Sequence, residues 1–172
     1  MKMRAREEKK KDKEHAKIWK DTFVATSDLQ AVLQTPCSIV SQIYYMHKLN
    51  CYNLLIYNLG SQSATCYIWS EVDAKRGACE IGSALHLQLL SLPGNIKHVI
   101  LYSDTCSGQS RNQFTATALM HAVVNLSNIE IIDHKCFESG HTQMECDSMH
   151  SSHCIRKEKD WDLHPQSMGH HY

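Results

Sequence analysis

The chain is predicted to fold as a mixed α/β domain whose sheet is partly antiparallel and partly parallel. Three observations lead there. Three strand-like segments precede the first amphipathic helix pattern, and helices and strands alternate after it. The segment Ile96–Ser103 is a near-continuous apolar run, the pattern of a strand buried on both faces. With 172 residues, 42% of them hydrophobic, and only 3 prolines and 7 glycines, the chain can bury one real core and is not of disordered composition.

Residues 1–20 read as a charged helix with no apolar stripe long enough to fix it. Phe23–Leu29 is the first strand; Val24, Thr26 and Asp28 share one face, opposite Phe23, Ala25 and Leu29. Pro36 breaks the chain after Leu33. Tyr44–Tyr57, rich in aromatic and branched residues, is the second strand, and Asn58–Ser63 is turn chemistry. Ala64–Glu71 returns as the third strand, giving a hairpin. After the loop Asp73–Gly77, the spacing of Ile81, Ala84, Leu85 and Leu89 predicts a helix over 78–91, ended by Pro93-Gly94. The strand Ile96–Ser103 follows, then a helix within 112–126 carrying Leu119, Ala122, Val123 and Leu126. Asn128–Asp133 is the last strand, so the order is β-β-β-α-β-α-β.

Zero net charge hides an asymmetry. Residues 1–20 hold nine Lys/Arg against four acids, a balance of +5, and the remainder holds nine basic against fourteen acidic residues, a balance of −5. Such an arm suits contact with a polyanion such as DNA, through Lys9, Lys10 and Lys11, although a solvated charged helix explains it as well. The charged N-terminus has no signal-peptide core, and no apolar run is long enough to span a membrane. Eight scattered cysteines without a CxxC pair are expected to be reduced thiols, placing the chain in nucleus or cytoplasm and not among secreted proteins.

The chemistry is expected where an apolar strand runs into Asp104 and a Gly-containing turn, because a rigid strand with an open C-terminal mouth is where α/β folds hold reactive groups. Taken alone, Asp104 is as well explained as a turn or helix cap. Strand order makes the ribonuclease H-like fold the candidate, with the first strand central and the strand bearing Asp104 parallel beside it. Asp28 and Asp104 then approach each other, and two neighbouring carboxylates repel unless a cation lies between them or one is protonated. Oxygen ligands at an open sheet edge select Mg²⁺ or Mn²⁺. Asp147 is the expected third carboxylate, with Asp133 and Glu145 as weaker competitors. Arg76 and Arg111, beside Gly-containing turns, are candidate phosphate contacts.

A series of short motifs carries a resemblance: Asp28-Leu-Gln-Ala-Val-Leu-Gln-Thr-Pro-Cys37, Tyr44-Tyr45 with Lys48-Leu49, Tyr57-Asn-Leu, Trp69-Ser-Glu71, Arg76-Gly77, Glu80-Ile81, Ser103-Asp-Thr-Cys-Ser-Gly-Gln109 with Arg111-Asn112, and Gly140-His141 through His150. Together, over residues about 13–152, they resemble a domain family found in transposon-derived open reading frames. Strand order and acid placement link that family to DDE-type transposases, ribonuclease H-like enzymes that cut and join DNA. The resemblance implies a metal-dependent nuclease ancestry, with Asp28, Asp104 and Asp147 as ligands and Gln109, His141 and His150 in support. The chain departs from the family at Ser27, where Phe is usual, and at Ser107-Gly-Gln-Ser110, where Gly-Gly-Gln-Asn is usual. After Ser152 the family's Ile-Glu and amphipathic helix give way to His153-Cys154-Ile-Arg-Lys-Glu-Lys-Asp-Trp161. If the Glu expected at position 154 is the active carboxylate, this copy is inactive. The organisation expected is therefore a basic arm over 1–21, a ribonuclease H-like domain over 22–152 with its last helix lost or altered, and a divergent, disordered tail over 153–172.

Other readings use the same residues. Seven of the twelve histidines follow residue 133, and His141, Cys146, His150 and His153 are a possible Zn²⁺ set for a structural domain. Cys106 with His141 would form a cysteine-hydrolase pair, but no positioning partner or oxyanion element is legible. A non-catalytic interaction module binding nucleic acid or protein would keep the fold alone. Trp69, Tyr44 and Tyr45 are expected to pack the hairpin and core, not to stack bases.

Overall fold

The computed structural model describes residues 2–36, 47–104, 106 and 110–137. Its elements, in chain order, are α1 Lys2–Ile18, β1 Thr22–Leu29, β2 Leu33–Thr35, β3 Leu49–Asn58, β4 Ser63–Ser70, α2 Ala78–Leu90, β5 His98–Ser103, α3 Gln113–Asn125 and β6 Ile131–Cys136. The six strands form one mixed sheet, as the alternation of segments predicts. β4 pairs antiparallel with β3, and β3 antiparallel with β1. β1 pairs parallel with β5, and β5 parallel with β6. Cys51 of β3 is paired with Ser70 on one side and Leu33 on the other, so β2 prolongs the edge that β3 shares with β1.

Alternation along β1 sets up two cores. Phe23, Ala25 and the neighbouring Leu54, Ile56, Val99 and Leu101 face α2 and α3, where Ile81, Leu85, Leu89, Leu119 and Ala122 close the larger core. Val24, Leu55, Ile100 and Tyr102 face the other way, with Leu59, Phe137 and, from α1, Ala16. Asp28 belongs to this second face, since it pairs with Leu55. Trp69 packs the hairpin as expected: its ring centroid lies 5.8 Å from that of Tyr52, and its indole N–H donates to the Lys75 carbonyl at 3.0 Å. Tyr44 and Tyr45 lie outside the described residues.

The helix over 1–20 is found, but it is fixed without an apolar stripe. Lys9, Asp12, Lys13 and Ala16, at helical spacing, are its less exposed residues. Lys135 Nζ donates to Glu8 at 2.6 Å and to Asp12 at 2.7 Å, and the Tyr102 hydroxyl donates to Asp12 at 2.6 Å. At the other end, the β3–β4 turn meets α1: Asn58 Oδ1 accepts from the amides of Gly60 and Ser61, and a Cβ on Gly60 would lie 3.4 Å from the Ala16 carbonyl. Gln62, at φ 58°, completes that turn in the left-handed region.

Boundaries moved where a turn or a partner strand overrode the local pattern. The strand expected over Asn128–Asp133 runs instead over Ile131–Cys136. Ile129 is buried below the end of α3, its amide bonded to the Leu126 carbonyl, and pairing starts only at Ile131 opposite His98. Ile96 and Lys97 precede β5 in the same way, the amides of Lys97 and His98 both meeting the Asp21 carbonyl. The second strand starts at Leu49, after His47 and Lys48, while 37–46 lie outside the described residues. β2 has no counterpart in the sequence reading; three residues before a proline carry no period. The tail over 153–172 and the expected last helix also lie outside the described residues.

Candidate active site at the strand mouth

The β1–β5 ladder sets Ser27 opposite Ser103. Asp28 follows Ser27 within β1, and Asp104 follows Ser103 immediately after β5 ends, so each acid comes next after a paired position on neighbouring parallel strands. Ser103, at the end of β5, is buried on the face of α2 and α3. Both aspartates are half-buried. The two carboxylates named for chemistry thus lie near the carboxyl ends of two paired parallel strands.

The surroundings are polar and ordered. Asn53 Nδ2 donates to Gln30 Oε1 at 3.0 Å, and the Gln30 amide donates to the Asn53 carbonyl at 3.0 Å, closing β1 on β3 two residues after Asp28. Both side chains are buried, and Asn53 Oδ1 has no hydrogen-bond partner among the described residues. Arg76 Nη2 lies 3.5 Å from the Gln30 carbonyl, which holds an exposed guanidinium beside this end of β1. Arg111 is exposed at the start of α3, its amide bonded to the Cys106 carbonyl. Asn112 caps that helix by accepting from the Thr115 amide at 2.9 Å.

Beneath Asp104, Ser103 Oγ lies 2.8 Å from His134 Nε2 and 3.2 Å from the Asp104 carbonyl. A hydroxyl has one proton, so both contacts are satisfied when Nε2–H donates to Ser103 and Ser103 donates to the carbonyl. Burial holds the His134 pKa below the usual histidine value, keeping the ring neutral. Sequence reading missed this pair because the histidine sits in a segment whose strand boundary was set too early.

On the face that Asp28 occupies, α1 carries its own network. Burial pulls the Asp12 pKa upward, but hydrogen bonds from Lys135 and Tyr102 and the Lys135 charge hold it below the usual value. Burial, then the bond to Asp12, raises the Tyr102 pKa well above its usual value. Burial opposes the Lys135 charge, yet bonds to Asp12 and Glu8 raise its pKa. Lys9 Nζ lies 5.3 Å from the centre of the Phe137 ring, so this lysine turns toward the sheet while Lys10 and Lys11 are exposed.

Other expectations part here. Asp133 pairs in register with Ile100, three residues short of Ser103, and bonds His98 at 2.8 Å. At about 3.3 Å per residue, that puts it roughly 10 Å down the strand from the mouth. Asp133 is therefore set apart from the strand mouth. Gln109, His141, Glu145, Asp147, His150 and the other members of the Zn²⁺ set, Cys146 and His153, lie outside the described residues. Among the described residues, no group of three or more His, Cys, Asp or Glu side chains is arranged to hold a metal ion. None of the described helices is long and apolar enough to cross a membrane.

Carboxylate oxygens such as those of Asp28 and Asp104 are hard donors, the ligand type preferred by Mg²⁺ and Mn²⁺. No protein-family model matches the chain, and no curated protein matches it.

Proposed function

We propose that this chain is a transposon-derived ribonuclease H-like domain, descended from a metal-dependent DNA strand-transfer nuclease and inactive in this copy. The observation that carries the reading is the register of Ser27 with Ser103, the residues immediately before Asp28 and Asp104. The run of strands across the sheet, β4-β3-β1-β5-β6 with two antiparallel and two parallel joins, supports the ribonuclease H-like assignment. So do the helices that separate β4 from β5 and β5 from β6.

In this reading Asp28 and Asp104, with Asp147 as a third ligand, would hold Mg²⁺ or Mn²⁺. Such an ion would supply polarisation of a phosphodiester and a lower pKa for an attacking water or 3′-hydroxyl. The chain's own part is to fix both carboxylates on rigid strand ends, with the Gln30–Asn53 pair securing one and the Ser103–His134 pair the other. Arg76 and Arg111 supply charge for the phosphate backbone. The departure at Cys154 removes the family's carboxylate there.

The test is Mn²⁺ binding, followed by electron paramagnetic resonance, together with nicking of supercoiled DNA. Asp28→Asn and Asp104→Asn should each weaken Mn²⁺ binding by at least about tenfold, with no nicking above that of Asp104→Asn. Mn²⁺ affinity unchanged in both variants would overturn the site. Nicking lost in Asp104→Asn would retain the site and overturn the claim of inactivity.

A second reading, a non-catalytic nucleic-acid module, is favoured by α1. Two of its four acids, Glu8 and Asp12, are engaged by Lys135, while Lys10 and Lys11 remain exposed. DNA affinity that falls with salt, without any Mn²⁺ requirement, would select this reading over the first.

A further inference from the structure

We propose that His86 and His121 form a two-histidine chelate for a late first-row divalent cation, Zn²⁺ being the probe of choice, on the outer face of the α2–α3 pair. The site shares no residue with the strand mouth and does not depend on the reading given for it.

The geometry starts from the helix crossing. α2 and α3 both lead into strands of one direction, so they run side by side. They approach closely where Gly82 faces Ala118: a Cβ on Gly82 would lie 3.3 Å from the Ala118 Cβ. One turn further along each helix stand His86 and His121. Their ring centroids are 5.5 Å apart, with planes at 62°. Two imidazoles bonded to one tetrahedral ion at 2.0–2.1 Å have centroids roughly 5 Å apart. Small rotations of the two side chains therefore admit an ion between them.

The chemistry agrees with the spacing. Neither imidazole makes a hydrogen bond among the described residues that would occupy its nitrogens. His86 is half-buried and His121 exposed, so an ion can reach them. They line an open groove of about 820 Å³ with Cys79, Ser83, Phe114 and Thr117, and among the described residues no Lys, Arg, Asp or Glu lines it. No lysine there repels a cation, and no carboxylate turns the site toward hard ions. Imidazole nitrogens prefer Zn²⁺, Cu²⁺ and Ni²⁺ to Mg²⁺. The groove leaves room for water at the remaining coordination positions. An ion bound this way ties α2 to α3 and stabilises the folded chain by mass action.

The experiment titrates the full chain with Zn²⁺ in excess Mg²⁺ while the imidazole resonances are followed by NMR. The rings of His86 and His121 should shift together in one event, and Zn²⁺ should raise the melting temperature. His86→Gln and His121→Gln should each weaken that event by at least about tenfold, and the double variant should be little worse than either single one. Cys146→Ser, which breaks the rival Zn²⁺ set late in the chain, should leave the event unchanged. If Zn²⁺ leaves the two rings unmoved in the parent chain, or shifts them only while Cys146 is present, the proposal is overturned.

Discussion

His134 Nε2 and Ser103 Oγ, 2.8 Å apart, join the ends of β5 and β6 directly behind Asp104. The ring donates Nε2–H to the hydroxyl, and burial lowers the pKa of this imidazole. Two consequences are measurable.

The first is a pH dependence. The folded-state pKa of His134 is lower than its unfolded value, so the unfolded chain takes up more protons as pH falls past 6.5. The stability from this histidine is present above that pH and is lost on acidification toward the folded-state pKa. The melting temperature should fall between pH 7.5 and pH 5.5 more in the parent chain than in His134→Gln, by differential scanning calorimetry at matched ionic strength. Equal slopes in the two proteins would refute this.

The second concerns Ser103→Ala. Removing a fully buried hydroxyl strips the imidazole N–H and the Asp104 carbonyl of their shared partner, at a cost of about 1–3 kcal/mol. Urea unfolding measures the loss. If the mouth is positioned from below, Mn²⁺ binding should weaken as well while the fold is retained.

Asp12 ties α1 to the sheet through Tyr102 and Lys135, both of them on strands. Asp12→Ala leaves a part-buried lysine and hydroxyl short of their acceptor, which costs about 1–3 kcal/mol. The folded-state pKa of this carboxyl is depressed, so its contribution is present above pH 3.8 and lost as pH falls through the folded-state value. Amide exchange in residues 8–18 should accelerate selectively in Asp12→Ala; uniform acceleration over the whole chain would instead mean global destabilisation.

Leu101, 2% exposed in the centre of the sheet, packs in the larger core with the residues of α2 and α3. Leu101→Ala should cost about 2–5 kcal/mol through lost contacts and a residual cavity. The value is read from the shift of the urea midpoint at constant slope.

Exposed Lys10 and Lys11 carry the nucleic-acid reading. Replacing both with Ala should lower the slope of log affinity against log salt by about 2, since each phosphate contact contributes about 0.9 for duplex DNA. The same replacement of Lys9, which stands over Phe137, should change stability more than the salt slope.

Local periodicity was enough for α2, α3 and the alternation of β1. Ile81, Ala84, Leu85 and Leu89 are buried on one side of α2 as their spacing predicts. Phe23 and Ala25 enter one core while Val24 enters the other. A hydrophobic pattern at the period of an element is a physical instruction about which side must leave water, and it needs no partner to be read. Ends of strands are different. β6 starts at Ile131, not Asn128, because its neighbour β5 determines where backbone groups find partners. β2 exists only because β3 offers it an edge.

The same division holds for the candidate sites. Asp28 and Asp104 were legible because each ends an apolar strand pattern, and the strand order makes them neighbours. How they lie relative to each other depends on the Ser27–Ser103 register, and register comes from pairing between strands distant in sequence. The docking of α1 through Asp12, and the meeting of His86 with His121 beside Gly82 and Ala118, leave no trace in any single segment. Sequence alone determined which faces of β1 and α2 turn inward, since that follows from local period and composition. Which polar side chains meet was decided only by the tertiary structure, because hydrogen bonds and ring contacts depend on the distances that packing sets.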